Sequence, residues 1–62
     1  MIKLMEVVGL SKVGYSEAIK DIVNQIIASG NKVYWFEVIE QRGAVKGDNI
    51  EYQVVLRVSV ES

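Results

Sequence analysis

The chain of 62 residues contains no cysteine, no histidine and no proline. Without cysteine there are no disulfides, and without cysteine or histidine the usual zinc ligands and nucleophile–base pairs are excluded. Neither a repeat nor a low-complexity stretch is present, so there is no sign of a linker or a long disordered tail. Charge of one sign is also missing. Seven Lys and Arg stand against eight Asp and Glu, a net charge of −1, which leaves no basic field to attract nucleic acid or an anionic membrane. No uncharged run approaches the roughly 18 apolar residues of a membrane span, and the first residues lack the layout of a secretory signal. The expectation is a cytoplasmic protein with neither nucleic acid nor membrane as partner.

What remains is the composition of a folding chain: 50% of the residues are hydrophobic and 24% charged. The length allows one domain, expected to span residues 1–62. A chain of this size buries only about 60% of its unfolded surface, so its stability is marginal unless something adds to it. With disulfides and zinc sites excluded, oligomerisation is the remaining means.

Met1 to Leu10 reads as a strand, rich in β-branched residues at Val7 and Val8, with Gly9 closing the run as a turn or bulge does. Ser16 before Glu17, Ala18 and Ile19 suits the N-cap of a helix. Ala18, Ile19, Ile22, Val23, Ile26 and Ile27 then recur at steps of three and four, an apolar stripe opposite Lys20, Asp21, Asn24 and Gln25. Gly30 supplies a positive-φ residue just past a helix end near Ser29. Two β-prone runs follow, Val33 to Val45 and Ile50 to Val60, joined by the polar turn Lys46-Gly47-Asp48-Asn49, with Gly43 and Gly47 both assigned to the turn region. The order is strand, helix, strand, strand, an α+β domain.

Strand side chains alternate between two faces. In the last strand Ile50, Tyr52, Val54, Leu56, Val58 and Val60 form an apolar row expected to face the helix, and Glu51, Gln53, Val55, Arg57, Ser59 and Glu61 form the other. In the preceding strand Tyr34, Phe36 and Val38 fall with the buried row. Val33, Trp35, Glu37, Ile39 and Gln41 fall with the open one, so Trp35 and Gln53 share a face. One helix covers only one side of a three-stranded sheet, which leaves Val33, Trp35, Ile39 and Val55 to be covered by something else. Trp35 reads as a subunit contact or as a platform for a planar ligand, and Gln53 as the donor–acceptor partner of a heterocycle edge or as a solvated strand glutamine. Glu6, Glu37, Glu40 and Glu51 have no calcium-loop spacing and read as sheet charge. Ser11, Ser16 and Ser29 have no activating partner, which argues against nucleophilic catalysis. Arg42 and Arg57 read as surface charge, intersubunit pairs or anion holders.

The runs Trp35-Phe36-Glu37-Val38, Gln41-Arg42-Gly43 and Glu51-Tyr52-Gln53-Val54-Val55-Leu56, with Val8-Gly9 and Ser11 ahead of an amphipathic helix, resemble the dodecin family over nearly the whole chain. The resemblance implies a β-α-β-β fold, with a three-stranded antiparallel sheet partly wrapped around one helix, and a homo-oligomer of twelve subunits. It also implies a non-enzymatic store for flavin (riboflavin, FMN or FAD), whose ring stacks between tryptophans of symmetry-related subunits. Trp35 corresponds to the stacking residue and Gln53 to the glutamine on the polar edge of the ring. Arg42 corresponds to an arginine near the flavin, and Glu40 to an acidic residue in reach of the ribityl hydroxyls. Some dodecin-like proteins bind Ca²⁺ in place of flavin, and a shell holding Ca²⁺ or a CoA-type ligand is the alternative. The Trp35 to Gln53 spacing is one residue short of the family's, expected as a deletion in the turn over 46–49. The last strand ends on Val60 and Glu61 rather than on the family's aromatic and basic residues, so the resemblance does not extend to an FMN preference.

Overall fold

The computed structural model describes residues 1–62. In chain order the elements are β1 (Ile2–Ser11), α1 (Tyr15–Ala28), β2 (Lys32–Lys46) and β3 (Asn49–Glu61). The sheet is antiparallel with strand order β1-β3-β2. The strand with the cleanest alternation thus takes the centre, where main-chain groups on both of its edges find ladder partners. Its helix-facing row is the core, with Val54, Leu56, Val58 and Val60 fully buried under Ala18 and Ile26 of α1. Ile19, Ile22 and Val23 pack around them, whereas Ile27 turns out of the stripe and is half exposed.

The helix begins one residue before the expected cap. Gly14 occupies the cap position, and no side chain caps the helix. Ser16 lies inside the first turn, where it is one of the residues whose N–H a cap would accept from rather than the cap itself. Ser11 instead ties down the link, its Oγ accepting from the Val13 N–H at 2.9 Å. At the other end Gly30 takes the expected positive φ of +98°, and the Ser29 N–H donates to the Gln25 carbonyl at 3.1 Å.

Two glycines serve purposes the alternation pattern did not show. Gly9 does not end β1 in a turn or bulge. It pairs with Val54 inside the strand, where α1 comes so close that a Cβ would lie 2.6 Å from the Ala18 carbonyl oxygen and 3.0 Å from Ile22 Cγ2. Gly43 is likewise not part of the turn, since it pairs with Tyr52 inside β2, beside the edge-to-face pair of Tyr15 and Tyr52 (centroids 5.0 Å apart, planes at 81°). The turn itself is only Gly47-Asp48, closed by the Lys46–Asn49 pair. Gly47 has φ +63°, the sign that the first position of a II′ hairpin turn requires. The ladder therefore stays in register from the turn to the Arg42–Gln53 pair despite the short spacing.

β2 departs from strict alternation in two places. Between Val33 and Trp35, and again between Val38 and Glu40, two steps on β2 face one on β3. Tyr34 and Ile39 are the extra residues of two bulges, and each bulge reverses which parity faces the helix. Val33, expected on the open face, pairs with Val60 and packs against the core. Gln41, also expected there, pairs with Val54 on the helix side, and Tyr34, expected in the buried row, is an exposed bulge residue. Trp35, Glu37 and Val38 keep their expected faces, opposite Ser59, Arg57 and Leu56.

The helix lies mainly over β1 and β3. Phe36 and Val38 point to its side of the sheet and still remain 44% and 39% exposed. The chain measures 44 × 20 × 13 Å with a radius of gyration of 12.4 Å, against about 10.6 Å for a compact domain of this length. An elongated slab of this kind encloses a small core and leaves large apolar areas at its surface. Gly9→Ala is expected to destabilise the fold by about 1–3 kcal/mol, because the new methyl meets helix backbone that cannot swing aside. Gly14→Ala, where the extended backbone (φ 174°) accepts any residue and the nearest atom is the mobile end of Glu17, should cost much less; urea unfolding of both variants checks the contrast.

Candidate functional site

The face of the sheet away from α1 carries Ile2, Leu4, Val8 and Leu10 from β1 and Gln53, Val55, Arg57, Ser59 and Glu61 from β3. β2 contributes Trp35, Glu37, Glu40 and Arg42, each paired with a β3 residue of the same face. The second bulge brings this about: with strict alternation Glu40 and Arg42 would lie on the opposite side from Trp35. Extra residue Ile39 moves both onto the Trp35 face, so that Trp35, Glu40, Arg42 and Gln53 all share it.

At one end of this face Trp35 stands 49% exposed. It flanks Ser59, which pairs with Leu4 on its other side and is only 3% exposed. The indole is therefore half open to solvent beside a buried serine. Its neighbour Tyr34 is held by two contacts. The phenol donates to Glu61 Oε1, and Lys32 Nζ lies 5.0 Å from the ring centroid, within cation–π range. Glu61 also pairs with the Met1 amine at 3.2 Å. Accepting the phenol hydrogen bond, and then that of the amine, lowers the Glu61 pKa from its ordinary value, and the same carboxylate raises that of Tyr34.

At the other end the polar residues form one connected strip. Arg42 Nε donates to Gln53 Oε1 at 2.8 Å, and Arg42 Nη1 donates to Glu40 Oε1 at 3.1 Å. Gln53 Nε2 donates in turn to Glu51 Oε1 at 3.0 Å, with Lys46 Nζ 3.6 Å from the same oxygen. The Gln53 hydrogen bond, with the Lys46 charge behind it, lowers the Glu51 pKa. Midway along the face Arg57 and Glu37 pair at 3.5 Å.

Three of the four residues singled out in the sequence are thus linked through Arg42, which contacts both Glu40 and Gln53, while Trp35 does not touch them. Trp35 pairs with Ser59, and Gln53 lies six residues along β3 from it, about 20 Å at strand rise. No single planar ring reaches both within one chain. Sequence reasoning read Glu51 as ordinary sheet charge; the signal available was its place two residues before Gln53 on the same alternating row. No group of three or more His, Cys, Asp or Glu converges in the structure, and no helix is long and apolar enough to cross a membrane.

Fold and face together define a small α+β protein whose open sheet surface joins an aromatic platform to a hydrogen-bonding strip. The dodecin family pattern matches residues 1–61, and the chain belongs to that family of small, flavin-binding-type proteins. Among solved structures it is similar to the tt0972 protein of Thermus thermophilus (37% identity, TM-score 0.84, 95% of this chain and 88% of the other). It is also similar to the dodecin of Streptomyces coelicolor (30% identity, TM-score 0.87, covering 100% and 94%). The calcium dodecin of Mycobacterium tuberculosis, a calcium-chelating antigen, aligns with 27% identity and a TM-score of 0.90, covering 100% and 90%. No curated protein matches the chain.

Two outcomes follow from this geometry. The Arg42–Glu40 pair is exposed on both sides, so Arg42→Ala is expected to shift folding stability by less than about 1 kcal/mol in urea titrations. Glu61 has a lowered pKa in the folded state, so its contribution is present above its unfolded value and is lost as pH falls through the folded one. Unfolding midpoints measured near neutrality and at about pH 3 should therefore differ less in Glu61→Gln than in the parent.

Proposed function

We propose that the protein is a non-enzymatic flavin-binding and storage protein, one domain over residues 1–62, that works as a homo-oligomer and holds the isoalloxazine ring against Trp35 at a contact between copies. The observation that carries this reading is the half-exposed Trp35 on the uncovered sheet face. A half-exposed indole suits a planar aromatic ligand. Gln53, with a donor and an acceptor, suits the polar edge of such a ring, and Arg42 and Glu40 stand where a ribityl chain or its substituents would find a guanidinium and a carboxylate.

The distance between Trp35 and Gln53 makes the site composite. In an isologous contact each surface meets its own copy, residue i facing j and j facing i. Such a contact brings Gln53 of one copy toward a ring stacked on Trp35 of another, and covers the apolar rows at the same time. Oligomerisation then supplies both the stability that the slab lacks and the pocket; twelve copies is the number the family membership favours.

When bound, the flavin supplies a light-absorbing ring, and a stacked indole is an electron donor able to return its excited state to the ground state. The protein's own part is to bind the ring, exclude water from it and leave no room for a second substrate. That role is storage with photoprotection, in the cytoplasm, without nucleic acid or membrane as partner. A second reading, a shell that holds Ca²⁺ or a CoA-type molecule in place of flavin, draws on the similarity to a calcium-chelating dodecin.

Titration of riboflavin, FMN and FAD with the protein, followed by flavin emission and by particle mass on the same sample, tests the proposal. Strong quenching by a large oligomer is expected, with at least about a tenfold loss of affinity in Trp35→Ala, the size of a lost stacking contact. A well-formed oligomer that leaves all three flavins fluorescent would overturn the flavin reading and favour the second, which calcium or CoA titration of that sample then decides.

A further inference from the structure

The Gln53 amide is held at both ends by partners of opposite kind. Arg42 donates to Oε1 at 2.8 Å, and Glu51 accepts from Nε2 at 3.0 Å. A guanidinium has no acceptor and an ionised carboxylate has no donor. Turning the amide over would therefore set N–H against N–H at one end and oxygen against oxygen at the other, losing two charge-assisted hydrogen bonds. Glu51 is itself well placed for this task. Its side chain is only 24% exposed, and Lys46 stands 3.6 Å from the oxygen that Gln53 uses.

Once both contacts are made, Gln53 keeps one free N–H and one free lone pair. We propose that Glu51 is a positioning residue for ligand binding: with Arg42 it fixes the rotamer and the orientation of the Gln53 amide, so that this donor–acceptor pair is preorganised before the ligand arrives. A glutamine loses much side-chain freedom when it is fixed, and here that loss is met on folding rather than on binding. The inference rests on the flavin reading for its ligand but not for its geometry, which the chain's own side chains make.

Riboflavin affinity is measured for the parent, Glu51→Ala, Glu51→Gln, Gln53→Ala and the Gln53→Ala/Glu51→Ala double variant. Glu51→Ala is expected to bind about three- to tenfold more weakly. Glu51→Gln should recover to within about twofold, because its amide oxygen faces two donors, Lys46 and the Gln53 N–H. With Gln53 already removed, loss of Glu51 should have no further effect, the non-additivity of residues that act through one another. An equal loss in both backgrounds would overturn the proposal, since a general structural role is additive.

A ligand-free readout keeps the two proposals separable. In ¹⁵N spectra the Gln53 side-chain amide should shift as Glu51 is protonated. The charged groups facing that carboxyl are Lys46 and, from the link after β1, Lys12, while Arg42 meets the far end of the amide. Neither Lys nor Arg titrates in the carboxylate range. The remaining nearby carboxyl, Glu40, contacts Arg42 and not Gln53, and the titration should vanish in Glu51→Ala. A Gln53 amide indifferent to pH in this range, or one that titrates unchanged in Glu51→Ala, overturns the positioning role. If the parent binds none of riboflavin, FMN and FAD, the flavin reading fails, and the amide titration alone upholds or overturns the positioning role.

Discussion

The face that Trp35 shares with Arg42 exists because β2 slips against β3 by one residue at Ile39. A strand alternates strictly unless a bulge intervenes, and a slip of one residue exchanges its two faces. The first bulge, at Tyr34, returns Val33 to the core while Trp35 points away from it; the second carries Glu40 and Arg42 to the Trp35 side. Without the second, the aromatic platform and the arginine would lie on opposite faces. Tyr34 is held by Glu61 and Lys32, so the first bulge is anchored as well as permitted.

The second constraint is coverage. A single helix of 14 residues, drawn against β1 at Gly9 where no Cβ fits, covers the β1 and β3 side of the sheet and leaves Phe36 and Val38 of β2 partly open. The opposite face has no covering element. Exposed Ile2, Leu4, Val8, Leu10 and Trp35 form a larger apolar surface than a marginal single core sustains alone. Under the proposed function, self-association would answer this and, through the separation of Trp35 from Gln53, would also complete the site, so that one surface would serve stability and binding together.

The polar strip serves another purpose. Exposed ion pairs such as Arg42–Glu40 contribute little to stability in water. Their effect is directional: Lys46, Glu51, Gln53, Arg42 and Glu40 alternate donors and acceptors across the β2–β3 ladder, so each side chain constrains the next. An uncharged amide at the centre of such a strip acquires a fixed orientation that it would not have in isolation.

Much of this was legible in the chain itself. The apolar rows of β3 and of the helix, the positive-φ glycines at 30 and 47 and the order of elements all follow from local rules, namely side-chain periodicity and backbone sterics, which act between residues close in sequence. The dodecin motifs likewise lie in short runs. The functions of Gly9 and Gly43, the faces of Val33 and Gln41, and the contacts among Glu40, Arg42, Gln53 and Glu51 were not legible, because each depends on what another strand or the helix places opposite. Alternation in β2 reads almost the same with or without a bulge, and only pairing with β3 decides where the extra residue goes. Sequence determined which segments form strand and helix and which surface of β3 is apolar; tertiary packing decided which side chains of β2 stand beside Trp35, since register is a property of two strands and never of one.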